Sequence, residues 1–397
     1  MMKLNFTALL SFLLMSSFAL ADTPPIKTHN SGASSPVIQS LSDLMLLAQQ
    51  SIQKHDLPSA SALLKKAVQL YPEALQPTFM LAEVSVQMKD YPTAVFASKR
   101  AVQIDENNAG AYGLLSQTLS AEDENAQART AVEHAISLDP NNPEWWSQLG
   151  NLSMTLKDYR NAQKAYINAE GLDPNNILLH ASLGDVYTQR NLNQEALSEY
   201  SAALRLLDES PISKSPQASV LKRQIKMNQA ASLSGLKKYS EAETALRKII
   251  AENPKDAGGY ATLGQVLDSG GEHSQAIEAY KQALTIQPKD AISWGNLGWA
   301  EYGAGQYQEA ISSSEKALTI DKTLAYVRFN MGLIYAVESN LSEAQDQYQK
   351  AIKIASPSDI SSGIDDVAHA MQKMPGNKVL TQVYSILVAA HNKAIGL

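Results

Sequence analysis

Histidines, paired acids and glycine-rich turns are the places where this sequence could do chemistry. Its seven histidines stand at 29, 55, 134, 180, 273, 369 and 391. None sits in a His-Glu-x-x-His or similar ligand spacing, so no metal centre is expected from spacing. The chain has no cysteine, which excludes thiolate metal sites, disulfides and lipoprotein attachment. Gly303-Ala304-Gly305 reads as a turn between helices, because no strand precedes it as a dinucleotide loop requires. No Gly-Lys-Ser/Thr follows a glycine-rich loop and no Gly-x-Ser-x-Gly elbow occurs. Asp365-Asp366 reads as acidic solvation of a helix start, where negative charge is favoured. With no convergent set of reactive groups, neither an enzyme nor a bound cofactor is expected.

The elements that would position any site must come from a long chain. Its 397 residues exceed what one compact core organises, so several domains or a repeat array are expected. Hydrophobic content is 44% and the formal net charge is −7. That balance suits a folded protein without basic tracts, which speaks against nucleic acid or anionic lipid as partner.

The N-terminus, "MMKLNFTALLSFLLMSSFALAD", places Lys3 before an apolar run and Ala19-Leu20-Ala21 before Asp22. This is the layout of a secretory signal peptide over 1–21, cleaved after Ala21. Retention as an anchor is the alternative, because the run is nearly long enough to span a membrane. No later run is long enough to cross. Residues 22–40, rich in Pro and Ser and without an apolar period, read as a flexible linker. A periplasmic or secreted location is therefore expected.

Two stretches share a skeleton, Trp146-x-x-Leu149-Gly150 and Trp294-x-x-Leu297-Gly298. Searching at a step of 34 residues finds one column that reads Ala60, Ala94, Ala128, Ala162 and Ala196. It resumes as Ala242, Ala276, Ala310 and Ala344 after one interval that is longer by twelve residues. Seven residues on, a second column is Ala in every unit except at Ile249. Five further on, Pro72, Pro140, Pro174, Pro254 and Pro288 mark unit ends. Alanines seven apart share one helical face and admit a neighbouring helix closely, and proline stops the second helix. Each unit is thus a helix, a tight turn and a second helix that must stack on neighbours to bury its apolar face. Units one to five cover 41–210, the extra residues 211–222 ("PISKSPQASVLK") read as a loop, and units six to nine cover 223–358. Residues 359–397 read as two capping helices, the second with an apolar face of Val379, Leu380, Val383, Tyr384, Leu387 and Val388.

The pattern Trp146, Leu149, Gly150, Ala162, Tyr166, Ala169, Pro174 resembles the tetratricopeptide repeat. The resemblance covers 41–358 and implies an all-α fold, a right-handed α-solenoid of about nine stacked helix-turn-helix units with C-terminal capping helices. Units one, three and six depart from it at position eight, where Ala48, Ser116 and Ala230 replace glycine.

Family geometry further implies a concave groove lined by the first helices. Its apolar part would be Met45, Leu46, Phe79, Met80 and Leu114. Its polar part would be Gln148, Asn151, Ser182, Asn228, Thr262, Asn296 and Asn330, joined by Trp299, Tyr302 and Phe329. Repeated amides can donate and accept at once, and so hold an extended peptide backbone without reading its side chains. The bland alternative is that the amides are solvated surface and the aromatics core. No Lys occurs at position five of any unit, so a carboxylate clamp on a partner's C-terminus is not expected.

These features point to a non-enzymatic scaffold binding a protein or peptide partner, another envelope protein. The alternative is a self-associating subunit of a secretion, pilus or polysaccharide-export assembly, built on the apolar surfaces at either end.

Overall fold

A computed structural model describes residues 40–396. The signal segment 1–21 and the linker 22–40, apart from Ser40, lie outside the described residues. The described residues divide into two compact units, one through Ser213 and one from Lys214.

The first unit holds five helical hairpins: α1 (Leu41–Gln53) with α2 (Leu57–Leu70), α3 (Leu75–Gln87) with α4 (Tyr91–Ile104), α5 (Ala109–Ala121) with α6 (Asn125–Leu138), α7 (Pro143–Thr155) with α8 (Tyr159–Leu172), and α9 (Ile177–Gln189) with α10 (Asn193–Glu209). The second holds four more: α11 (Pro216–Gly235) with α12 (Tyr239–Glu252), α13 (Ala257–Ser269) with α14 (His273–Ile286), α15 (Ala291–Gly303) with α16 (Tyr307–Ile320), and α17 (Ala325–Val337) with α18 (Leu341–Ile352). A last pair, α19 (Pro357–Lys373) and α20 (Lys378–Ala394), follows. No strand occurs among the described residues.

The alanine column explains the tight stacking. All nine alanines from Ala60 to Ala344 have no exposed surface, and the column seven residues on is buried throughout. A methyl side chain there sets the approach of the neighbouring helix, and added volume would overpack it.

The turn inside every hairpin follows one recipe. The second residue after the first helix adopts left-handed backbone in all nine units, from His55 at φ 58° to Gly271 at φ 82°. The N–H one residue later then donates back to a carbonyl of the last helical turn, as in Asp158 to Ser153 (2.8 Å) and Asn340 to Tyr335 (2.8 Å). This left-handed cap satisfies a carbonyl that would otherwise lack a partner. Only Gly271 and Gly305 are glycines; the other seven positions carry His, Lys, Asp, Asn or Ser.

Two expectations are corrected. Of residues 211–222, only 211–215 form turn; Pro216 opens α11, with Ser215 accepting from the Ala218 N–H at 3.0 Å. Pro at the first helical position is pre-organised for a helix start rather than a loop, which the composition alone does not distinguish. Asp365-Asp366 lies mid-helix in α19, and the acid at that helix start is Asp359, held in a capping box with Ser356.

The capping pair covers the ninth repeat. Leu380, Val383 and Leu387 are fully buried in one cluster with Phe329, Leu333 and Tyr348 of α17 and α18. Val379 and Tyr384 pack at the edge of that cluster.

Candidate protein-binding surface

Side-chain bonding separates the expected groove residues into two groups. Gln148 donates to the Gly113 carbonyl at 2.9 Å and ties α7 to α5. Asn151 accepts from the Tyr166 hydroxyl at 2.6 Å. Burial pushes the ionisation of that hydroxyl far up, and the nearby Ser182 eases the push. Asn228 accepts from Gln224 at 3.0 Å, and Thr262 donates to the carbonyl one turn back, Gly258, at 2.9 Å. Gln148, Asn151, Asn228 and Thr262 thus hold the repeat itself. Asn296 and Asn330 are half-buried and, among the described residues, make no side-chain hydrogen bond. The amide row therefore reduces to two side chains, one period apart in α15 and α17.

The aromatics divide in the same way. Trp299 and Tyr302 stand one turn apart on α15 with ring centroids 5.2 Å apart, and Tyr307 of α16 continues the stack at 5.9 Å. All three are half-buried at the edge of the last core cluster. Burial, then the neighbouring Tyr307 and Asp366, push the Tyr302 hydroxyl up to about 12, so it stays a neutral donor. Phe329 is the exception. It is 5% exposed, lies 6.1 Å from the Tyr348 ring and is covered by α19 at Gly363. Phe329 is core, because a capping helix that the repeat pattern does not contain closes over it.

The expected apolar groove is corrected similarly. Met45 and Leu114 are buried within a core cluster and Phe79 and Met80 pack against it, which leaves Leu46 outside, 52% exposed.

Two clusters were not visible as motifs. The first is a cleft of about 430 Å³ lined by Trp294, Lys281, Lys316, Glu309 and Glu301. The Lys316 ammonium sits 4.3 Å from the Trp294 ring. Glu301 is 5% exposed with its Oε2 lacking a partner, and burial pushes its carboxyl above the usual range. The second cluster joins Glu170 of α8, His180 of α9 and Glu199 of α10, with ligand atoms within 4.8 Å of one another. Burial alone would lower the His180 ring's proton affinity, but bonds to Glu199 and the Pro174 carbonyl outweigh it and the ring is raised. Burial and the Glu199 charge push Glu170 up. Spacing rules miss this cluster because its members sit on three helices.

Stacked helical hairpins with buried alanine columns define an α-solenoid repeat protein. Models of the tetratricopeptide repeat match residues 85–152, 147–211, 227–291 and 261–325, more than half of the chain together. The chain belongs to the tetratricopeptide repeat family, whose members are in general protein-interaction scaffolds. A search of curated protein sequences finds no match.

Among solved structures, a tetratricopeptide repeat protein from Parabacteroides merdae ATCC 43184 is 16% identical with a TM-score of 0.50, over 66% of this chain and 99% of that one. PilW, described as a widely conserved type IV pilus biogenesis factor, is 17% identical with a TM-score of 0.44, over 53% and 92%. YrrB, described as a TPR protein with an unusual peptide-binding site, is 19% identical with a TM-score of 0.40, over 50% and 97%. At these identities the likeness is one of fold.

Proposed function

We propose that this chain is a non-enzymatic scaffold of the cell envelope that holds an extended segment of a partner protein against α15 and α17. The observation that carries the reading is the pair Asn296 and Asn330. Their amides have donors and acceptors to offer beside the half-buried Trp299 and Tyr302. An amide that is neither used internally nor fully solvated can exchange its water for a peptide N–H and C=O. Flat aromatic area next to it supplies contact energy of the kind that dominates interfaces. The envelope assignment rests on the signal-like segment at 1–21.

The test places a photo-crosslinking amino acid at Asn296 or Asn330 in cells, with exposed Glu252 of α12 as control. A discrete envelope protein trapped at 296 and 330 but not at 252 is expected. Identical trapping at all three positions would sink the reading.

A second reading, self-association, is favoured by Leu46, Leu47 and Phe96, which are 52%, 38% and 64% exposed. Large exposed apolar side chains in the first two repeats are candidates for a subunit contact. Sedimentation over a range of concentrations decides it, because a concentration-independent monomer excludes it.

A further inference from the structure

Position four of the first helix carries Trp146 in one unit, His180 in the next and Trp294 further on. In all three the ring nitrogen bonds the carbonyl of the proline that ends the preceding unit. Trp146 Nε1 donates to Pro140 at 2.8 Å and Trp294 Nε1 to Pro288 at 2.9 Å, while His180 Nε2 lies 3.0 Å from the Pro174 carbonyl. A carbonyl only accepts and an indole nitrogen only donates, so the repeat architecture assigns the proton of His180 to Nε2.

The neutral ring then presents a bare lone pair at Nδ1. That atom faces Glu199 Oε2 at 2.7 Å and Glu170 Oε1 at 3.6 Å. The side chains of His180, Glu199 and Glu170 are only 9%, 19% and 30% exposed. Among the described residues neither glutamate has a Lys or Arg partner. Two carboxylates and an imidazole lone pair aimed at one another repel unless a cation lies among them. A proton on Nδ1 satisfies one contact, whereas a divalent ion satisfies all three.

We propose that Glu170, His180 and Glu199 form a binding site for a divalent transition-metal ion, Zn²⁺ or a similar ion, within the fourth and fifth repeats. One imidazole and two carboxylates are a ligand set such ions take, and three protein ligands leave a further position for water. The Nε2–H bond to Pro174 is the outer contact that fixes ring tautomer and orientation in such centres. Binding moves the Nδ1 proton, when present, to solvent. The Nδ1 to Oε2 distance must widen to about 3.3 Å for tetrahedral ligation at zinc bond lengths, a shift that side-chain rotation of Glu199 provides.

The test is calorimetric titration of the metal-stripped full chain with ZnCl₂ near neutral pH, repeated by absorption with Co²⁺. Saturable binding at a single site is expected. Glu170→Gln and His180→Ala weaken it by at least about tenfold, while His369→Ala, which removes an exposed histidine on α19, leaves it unchanged. Circular dichroism reports whether each variant keeps its helix. Glu170→Gln carries the test if His180→Ala does not fold. Wild-type protein that binds neither ion, or Glu170→Gln binding as tightly as wild type, overturns the proposal.

Discussion

The ring of Tyr200 lies flat against the backbone of Gly184, so close that a Cβ at residue 184 would stand 2.4 Å from a ring carbon. The same pair recurs sixteen residues apart as Gly150 with Tyr166, Gly264 with Tyr280 and Gly332 with Tyr348. Where position eight is not glycine, in units one, three and six and also in unit two, the partner is smaller: Ala48 with Leu64, Ala82 with Ser98, Ser116 with Val132, and Ala230 with Leu246, all buried. In units one, three and six a larger position eight faces a partner smaller than tyrosine, as a close-packed interior requires, whereas unit eight pairs Gly298 with Ser314, both small, and the Ala310 carbonyl takes up the space. The units that look degenerate at position eight are therefore compensated.

Gly184→Ala should destabilise the protein by about 1–3 kcal/mol through overpacking, even though alanine favours the helix. Adding Tyr200→Leu, which copies the Ala230 and Leu246 pair, should recover part of the loss. Urea unfolding of both single variants and the double variant measures the coupling, expected at about 0.5–3 kcal/mol. Strict additivity would contradict the compensation.

The left-handed caps are a reserve of stability. A non-glycine residue in that region carries a steric cost of roughly 1–2 kcal/mol, against an entropic cost of glycine of roughly 0.5–1 kcal/mol. Ser339→Gly, at an exposed residue with φ 63°, should raise stability by up to about 1 kcal/mol. Asn191→Gly should gain less, because asparagine tolerates this conformation. Thermal unfolding of the two variants gives the comparison.

Glu301 introduces a pH dependence of known sign. Burial raises its carboxyl above the unfolded value. The stability it contributes is fully present below the unfolded value and is lost as pH rises through the folded one. Glu301→Gln should therefore gain on wild type between about pH 4, near the unfolded value, and neutrality. Denaturant unfolding at both ends of that window is the measurement, and a difference independent of pH would contradict the assignment.

Phe329 and Asn330 are neighbours in sequence with opposite roles. Phe329→Ala should cost about 3–5 kcal/mol, because it empties a buried ring site under α19. Asn330→Ala should change stability by no more than about 0.5 kcal/mol, while reducing partner capture in the crosslinking experiment. Chemical denaturation and capture yield, read side by side, separate packing from binding.

The hairpins were legible because the alanine column is a packing requirement repeated nine times, with proline marking the unit end in five of the nine. The binding surface was less so. Position six holds an amide or hydroxyl from Gln148 onward, yet whether that group is free depends on partners 4 to 35 residues away, as Gly258 for Thr262 and Gly113 for Gln148 show. Phe329 was obscured by α19, which lies outside the period. The His180 cluster left a different trace: a histidine standing where other units place tryptophan, each bonding the preceding proline carbonyl.

The pairing of position eight with position twenty-four lies inside one hairpin. Shape information is thus stored within each hairpin, so whole hairpins behave as exchangeable cassettes, whereas single helices do not. Transplanting α9 alone onto α12 would set Gly184 against Leu246 and leave a void where a ring belongs. Transplanting α9 with α10 carries the ring along. Duplication and shuffling of such a gene by complete hairpins would conserve packing at this contact, and a recombination point between the helices of one hairpin would break it.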